Sequence, residues 1–177
     1  AKMILQDLLE DFPENIVLLT LMAQLAYGSG EYKKAAQYAG DILKQNPEQQ
    51  DIQILLGRIY FADGQMDKAT DCYSKIIATL PNDIQLYLEL AEIYKARREE
   101  GKALELYRDV IRIAPDNPHA YYEAAMLMKA CKDFENAETM LKRAAELAPH
   151  DIQIHRQLSG IIAMNLLHSP QEVIRKR

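Results

Sequence analysis

Apolar and polar residues along this chain repeat one pattern every 34 residues. Within each period, apolar residues recur at three- and four-residue spacing, a polar turn follows, and a second stretch with the same spacing ends at a proline. Such spacing is typical of amphipathic helices, so each period predicts two helices joined by a turn, which we name helix A and helix B. The prolines that close successive periods are Pro13, Pro47, Pro81, Pro115 and Pro149.

Small residues keep the same interval. One column falls in helix B and contains Ala35, Ala69, Ala103 and Ala137. Another falls in helix A and contains Ala23, Gly57, Ala91, Ala125 and Ser159. Because the distance between two packed helices depends on the side chains at their contact, these columns predict that helix A and helix B of one period approach closely.

Polar residues mark the start of helix A in most periods. The side chains that can cap its free amides are Asn15, Asp83, Asn117 and Asp151. Pro118 follows the third of these caps directly and suits the first helical turn, where its missing N–H is not needed. In the turn before helix B, Gly30 and Gly64 keep the 34-residue interval, whereas Arg98 and Lys132 replace glycine in the next two periods.

This pattern resembles the tetratricopeptide repeat family over nearly the whole chain. In the third period the family's columns fall on Tyr87, Leu90, Ala91, Tyr94, Ala103, Tyr107 and Pro115. The chain departs from the family in containing no Trp, and that column contains Leu19, Gln53, Tyr87, Tyr121 and His155. The resemblance implies an all-α fold, a right-handed superhelical solenoid built of antiparallel helix pairs.

The period also divides the chain into repeats. Helix B of a truncated repeat is expected over residues 1–14, and a further helix A with the start of its helix B over residues 151–177. Four full repeats are expected between them, over residues 15–48, 49–82, 83–116 and 117–150. The last helix B is expected to begin at Ser169-Pro170-Gln171-Glu172, which has the pattern of a capping box. This organisation predicts a fragment of a longer array.

Apolar residues at both ends of the array are expected to lie partly exposed, since neither end has the polar outer face of a terminal repeat. These residues are Met3, Leu5, Leu8, Leu9, Ile161, Ile162 and Leu166. Their exposure predicts end-to-end self-association.

Composition and motifs argue against several classes of function. Hydrophobic residues make up 49% of the chain, which suffices for a continuous core, and the net charge of −5 does not favour a nucleic-acid-binding face. The sequence contains no glycine-rich phosphate loop, paired-histidine zinc helix, nucleophile elbow or apolar run of membrane-spanning length. We therefore expect a protein that is not an enzyme and that needs no cofactor or metal. Cys72 and Cys131 are expected to be buried or half-buried thiols, which favours a reducing compartment such as the cytoplasm.

One face of helix A is not needed for packing against the neighbouring helices. Counting from the residue after the cap, positions 4, 7, 8 and 11 form the packing face, and positions 2, 5, 9 and 12 form a neighbouring face. In tetratricopeptide proteins this neighbouring face lines the concave groove. Its predicted partner-binding residues are Thr20, Gln24, Tyr27, Ile54, Arg58, Phe61, Leu88, Glu92, Lys95, Tyr122, Met126, Lys129 and Arg156.

Apolar and aromatic side chains form a stripe along this face, with basic residues beside it. A purely solvated face would be polar nearly throughout, and interface cores favour aromatic, Met and Arg residues. The stripe therefore predicts a groove for a peptide or protein with apolar and acidic residues, in which Arg58, Lys95 and Lys129 set orientation and association rate. The alternative is that these side chains only cover the seams between adjacent A helices.

The sequence predicts a non-catalytic protein–protein interaction scaffold. The clamp with which some tetratricopeptide domains hold a chaperone's C-terminal carboxylate, built of Lys, Asn and Arg, is not expected. The matching positions here are Thr20, Gln24, Leu55, Gln85 and Glu89. Two alternatives remain open: the array is the regulatory or substrate-recruiting arm of a larger enzyme, such as a transferase, or its stripe serves self-assembly of copies of the same protein.

Overall fold

The computed structural model describes residues 2–168, a range that contains ten α-helices and no strand. In chain order the helices are α1 (Lys2–Asp11), α2 (Ile16–Gly28), α3 (Tyr32–Gln45), α4 (Gln50–Ala62), α5 (Met66–Thr79), α6 (Ile84–Ala96), α7 (Glu100–Ile113), α8 (Pro118–Ala130), α9 (Phe134–Leu147) and α10 (Ile152–His168). The even-numbered helices have the A pattern and begin 34 residues apart. The fold is all-α, as expected, and the predicted capping box at residues 169–172 lies outside the described residues.

Side chains cap the A helices where the sequence predicted them. Each capping oxygen accepts hydrogen bonds from amides two or three residues ahead, at 2.8 to 3.2 Å. The capping residues are Asn15, Asp83, Asn117 and Asp151. At the start of α4 the corresponding residue is Gln49, whose side chain makes no capping hydrogen bond.

Each turn from helix A to helix B contains one residue in the left-handed region. These residues are Gly30 (φ 74°), Gly64 (φ 77°), Arg98 (φ 61°) and Lys132 (φ 63°). The next amide donates to a carbonyl five residues earlier, as Gln65 N does to Tyr60 O at 2.8 Å, which is the Schellman pattern of helix ends. Glycine adopts this conformation without strain, whereas Arg98 and Lys132 do not.

A polar side chain at position 4 of helix A bonds to the carbonyl of the proline six residues earlier. The pairs are Gln53 with Pro47 (2.6 Å), Tyr87 with Pro81 (3.0 Å), Tyr121 with Pro115 (3.2 Å) and His155 with Pro149 (2.9 Å). Amide, phenol and imidazole thus fill the same role in the column where the family has Trp. The hydrogen bond ties the inter-repeat turn to the helix that follows it.

The described chain forms two compact units, one up to Ile93 and one from Tyr94 onward, and each has its own core. The core of unit 1 contains Leu19, Ala26, Ala35, Ala39, Ile42, Ile52 and Ile59. The core of unit 2 contains Ala125, Met128, Ala137, Leu141, Ala144, Ile154 and Ile161. Both cores join an A helix, its B helix and the next A helix, so each repeat buries its apolar face against its neighbours.

Helix A and helix B approach closely in the second repeat. A Cβ added to Gly57 in α4 would lie 3.0 Å from Cε2 of Tyr73 in α5. Tyr73 is buried, with 1% of its surface exposed. The predicted steric role of Gly57 is therefore confirmed.

Two expectations about exposure were wrong. Ile161, expected to be partly exposed, is completely buried, because it packs against α8 and α9 in the core of unit 2. Cys131, expected to be buried or half-buried, is exposed, because it follows the last residue of α8 in the turn to α9. The other end residues behave as predicted: Met3, Leu8, Ile162 and Leu166 are exposed, and Leu5 and Leu9 are half-buried.

Candidate interaction face of the A helices

All thirteen predicted partner-binding residues keep at least part of their surface exposed. In unit 1 they are Thr20, Gln24, Tyr27, Ile54, Arg58, Phe61, Leu88 and Glu92, and in unit 2 they are Lys95, Tyr122, Met126, Lys129 and Arg156. By contrast, position 10 is buried in four of the five A helices, at Ile59, Ile93, Leu127 and Ile161, so it belongs to the packing side of the helix. We call the thirteen residues the A-helix face, and each unit presents its own part of it.

The apolar members of the A-helix face are half-buried, and three of them pack against a core. These members are Tyr27, Ile54, Phe61, Leu88, Tyr122 and Met126. The last two pack against the core of unit 2. Tyr27 packs against the core of unit 1, and its ring centre lies 6.1 Å from that of Tyr32. Anchoring of this kind fixes the side chains before any partner binds, which lowers the entropy cost of binding.

Arg58 is held by the next A helix. Its Nε and Nη2 donate to the carboxylate of Glu89 in α6, at 3.0 and 2.5 Å. The hydroxyl of Tyr73 in α5 donates to the same carboxylate, as does the Gln85 amide at 3.0 Å. Donors from three helices therefore surround Glu89, whose side chain is 18% exposed.

These contacts change the protonation equilibria of the cluster. Burial raises the pKa of Glu89, but hydrogen bonds from Arg58, Tyr73 and Gln85 outweigh it, so the pKa is lowered overall. The hydrogen bond to Glu89 raises the pKa of Arg58. Burial, followed by the hydrogen bond to Glu89, raises the pKa of Tyr73. At neutral pH the cluster is thus an ionised Arg–Glu pair with a protonated tyrosine, joining α4, α5 and α6.

The lysines of the A-helix face also bridge to the next A helix. Lys95 Nζ donates to Glu123 Oε2 at 2.5 Å and lies 5.9 Å from the ring centre of Tyr107. Lys129 Nζ donates to Gln157 Oε1 at 2.9 Å. These bridges support the alternative in which the charged members of the face cover seams between A helices. Arg156 differs, because it is exposed and donates to Gln153 on its own helix.

Sequence reasoning missed the acceptors of these bridges. Glu89, Glu123 and Gln157 occupy position 6 of α6, α8 and α10, at 34-residue intervals. This regular column of acceptors was the available signal. Positions 2, 5, 9 and 12 alone do not include this column, although it lies on the same side of the helix.

A cleft of about 300 Å³ opens on the part of the A-helix face that belongs to unit 2. Tyr122 and Glu123 of α8 line one side, and Asp151 and Ile154 at the start of α10 line the other. This volume is at the lower end of the range for ligand sites.

Residues 2–168 offer neither a metal site nor a membrane span. No group of three or more His, Cys, Asp or Glu side chains is placed to hold a metal ion. No helix in this range combines the length and the apolar character needed to cross a membrane.

The 34-residue helical repeats define an all-α repeat protein of the interaction-scaffold class. A model of the tetratricopeptide repeat matches residues 26–93 and 96–159. The chain belongs to the tetratricopeptide repeat family. A comparison with curated protein sequences gave no significant match.

Several solved structures share this fold at low sequence identity. A crystal structure of the MamA protein is 15% identical, with a TM-score of 0.74 over 86% of this chain and 83% of that one. MamA 41-end from Desulfovibrio magneticus RS-1 is 18% identical, with a TM-score of 0.73 over 86% of each chain. The first TPR of Spaghetti (RPAP3) bound to the HSP90 peptide SRMEEVD is 22% identical, with a TM-score of 0.60 over 67% of this chain and 94% of that one. At these identities the likeness is one of fold.

Proposed function

We propose that the chain is a non-catalytic scaffold that binds a peptide or a partner protein on its A-helix face. The family and the fold are those of protein-interaction scaffolds. The observation that carries the proposal is the group of half-buried apolar side chains on each unit, Ile54, Phe61 and Leu88 on unit 1 and Tyr122 and Met126 on unit 2. Apolar side chains grouped at a surface are typical of interaction sites.

The ligand that suits this face is an amphipathic helix or an extended peptide with apolar anchors and a few Asp or Glu residues. Covering the exposed half of one large apolar side chain contributes on the order of 1 kcal/mol. Several such contacts are therefore needed to offset the cost of ordering the ligand. Affinity then depends on how many anchors the ligand places on the apolar side chains of one unit.

Acidic residues of the ligand would approach Arg58, Lys95 and Lys129. Because these residues already bond to acceptors on the next A helix, a ligand carboxylate has to share a donor with them. A guanidinium has five N–H groups, and Glu89 takes those of two nitrogens of Arg58, so a second acceptor can bind. We propose that these charges set orientation and association rate while the apolar side chains of each unit supply affinity.

The test is selection from a random peptide-display library on the purified chain, followed by affinity measurement for the enriched peptides. The binding variant carries Ile54→Ser, Phe61→Ser and Tyr122→Ser. The matched control carries Met3→Ser, Ile4→Ser and Phe12→Ser, which also removes exposed apolar side chains but lies outside the A-helix face. Circular dichroism checks that both remain helical.

We expect the native chain and the control to bind the enriched peptides and the binding variant to lose them. Equal binding by all three proteins would show that the binding site does not lie on the A-helix face. We expect the association rate to fall on addition of salt and in Arg58→Gln. Rates that respond to neither change would remove the proposed role of the charges.

Self-association is a second candidate, and exposed apolar side chains on α1, α2 and α10 and just after α1 favour it. Met3 is 75% exposed, Phe12 58% and Val17 67%, while Ile152 and Leu166 are 81% and 72% exposed. Sedimentation velocity over a wide range of concentration tests it, with Met3→Ser and Phe12→Ser combined as the comparison. A monomeric mass at every concentration would rule it out.

A further inference from the structure

We propose that a side-chain carboxylate of the partner binds at Lys129 and Arg156 in unit 2, beside the bridge from α8 to α10. This inference rests on the proposed function and deepens it, because it assigns the acidic residue of the ligand to one place on the A-helix face. Arg58 and Lys95 then act on the ligand only at longer range, since each already binds a carboxylate of the chain itself.

The bridges between A helices differ in the charge of their acceptor. Two of them end on a carboxylate, and these are Arg58–Glu89 and Lys95–Glu123. Lys129 instead donates to Oε1 of Gln157, at 2.9 Å. An amide oxygen satisfies one N–H of the ammonium group but does not compensate its charge. Among residues 2–168 the side chain of Lys129 makes no ion pair, so its charge remains available to a ligand.

Lys129 and Arg156 also have unused donors. Within residues 2–168 the Nζ of Lys129 makes one hydrogen bond, whereas an ammonium group has three N–H donors. Arg156 is exposed, and its Nη2 donates to the side chain of Gln153, which is again a neutral amide. A guanidinium has five N–H groups. Both side chains can therefore donate to a carboxylate of the ligand, and such charge-assisted hydrogen bonds are the strong ones.

The surface of α10 beside these cations is open. Gly160 lies four residues after Arg156 and three after Gln157, so the three residues share one side of the helix. A Cβ added to Gly160 would meet nothing within 4 Å. Ala163, at position 12, is exposed and small. Because no large side chain projects from these two positions, the backbone of a ligand can approach α10 closely.

The charge of this part of unit 2 favours an anion. Residues 124–133 and 152–163 contain more basic than acidic residues, with His155 taken as neutral. The basic residues are Lys129, Lys132 and Arg156, and the acidic residue is Asp133. Glu123, just before the first range, is paired with Lys95. The carboxyl end of α8 adds only about half a negative charge, so the basic residues outweigh it together with Asp133.

A peptide-display selection on the native chain, followed by affinity measurements on two variants, tests this inference. Gln157→Glu gives Lys129 a carboxylate partner, like the one that Lys95 has in Glu123, and keeps the shape of the side chain. Gln37→Glu is the matched control, because it adds the same charge at an exposed position of α3, outside the A-helix face. Circular dichroism checks that both variants keep the native helix content.

The enriched peptides are synthesised with an amidated C-terminus, so that only side-chain carboxylates are compared. We expect them to share an Asp or Glu at one fixed position. Replacing that residue by Asn or Gln should weaken binding to the native chain and to Gln37→Glu by about tenfold, because hydrogen bonds between charged groups are lost. The same replacement should weaken binding to Gln157→Glu by about twofold or less, since Lys129 is then already paired.

Enriched peptides with no shared acidic residue, or an equal loss on all three proteins, would overturn this inference and leave the proposed function standing. A reduced loss on both variants would show an effect of net charge alone and would overturn it as well. No enrichment on the native chain over a denatured sample would contradict both the inference and the proposed function.

Discussion

The guanidinium of Arg58 and the carboxylate of Glu89 form a two-point contact between α4 and α6, with Nε–Oε2 and Nη2–Oε1 distances of 3.0 and 2.5 Å. Bidentate contacts of this kind are the strong form of the arginine–carboxylate interaction. Since the hydroxyl of Tyr73 donates to the same carboxylate, the contact also includes α5. It thus couples the helix pair of one repeat to helix A of the next, and such couplings between neighbours hold a repeat array together.

Glu89→Gln should lower the free energy of unfolding at pH 7 by about 1–3 kcal/mol, the usual range for losing hydrogen bonds to a charged group. Glutamine keeps the shape of the side chain, so the change isolates the charge. Urea unfolding followed by circular dichroism measures the difference. Glu105→Gln, an exposed carboxylate on α7, is the control and should leave stability nearly unchanged.

The effect of Glu89→Gln should also depend on pH. Because the folded pKa of Glu89 is lowered, its charge stabilises the fold above the pKa of the unfolded chain, near 4.3, and this stabilisation is lost as pH falls through the folded pKa. We therefore expect the native chain and Glu89→Gln to converge in stability as the pH falls below about 5 and through the folded pKa of Glu89. A constant difference over that range would show that the charge is not what stabilises the contact.

Arg98→Gly should stabilise the chain, because Arg98 has a φ of 61° in the turn from α6 to α7. The left-handed conformation costs a non-glycine residue roughly 1–2 kcal/mol. Glycine avoids this cost, but it also raises the conformational entropy of the unfolded chain, which offsets part of the gain in stability. The expected gain is up to about 1 kcal/mol, measured by thermal unfolding. Arg98→Ala keeps the backbone strain and should give no gain. The reciprocal change Gly64→Ala should cost about 1 kcal/mol.

Gly57→Ala should destabilise the chain even though alanine is the better helix former. The new Cβ would lie 3.0 Å from Tyr73 Cε2, and Tyr73 cannot move freely because its hydroxyl bonds to Glu89. Overpacking costs about 1–3 kcal/mol, which exceeds the roughly 1 kcal/mol gained in helix propensity. Gly40→Ala in α3 is the control, since its Cβ meets nothing within 4 Å, and it should stabilise. Stabilisation by both changes would show that the contact between α4 and α5 accommodates the added methyl group at little cost.

Features that depend on one period were predictable from the sequence, and features that depend on the angle between periods were not. The cap at Asn15 and the close approach at Gly57 follow from residues within a single helix pair, so the repeating columns were sufficient. The bridge from Arg58 to Glu89 joins residues 31 apart on different A helices. The 34-residue period predicts the two helices on which these residues lie. It does not predict how one helix is rotated relative to the next, and that rotation brings the two side chains together. For the same reason the cleft beside Tyr122 could not be derived from spacing, whereas the exposure of Cys131 follows from its place in the turn of a single period and was predictable.

Tyr87→Phe should lower stability by about 1 kcal/mol, because it removes the hydrogen bond from the Tyr87 hydroxyl to the carbonyl of Pro81 and leaves that carbonyl without its partner. Tyr87 is only 8% exposed, so water replaces the lost donor poorly. Tyr122→Phe is the matched control, since no hydrogen bond reaches the Tyr122 hydroxyl among residues 2–168, and its effect should be within a few tenths of a kcal/mol. Urea unfolding gives the global effect. Amide hydrogen exchange in the first turn of α6 should become faster in Tyr87→Phe alone, and equal exchange in both variants would show that this hydrogen bond does not hold the inter-repeat turn.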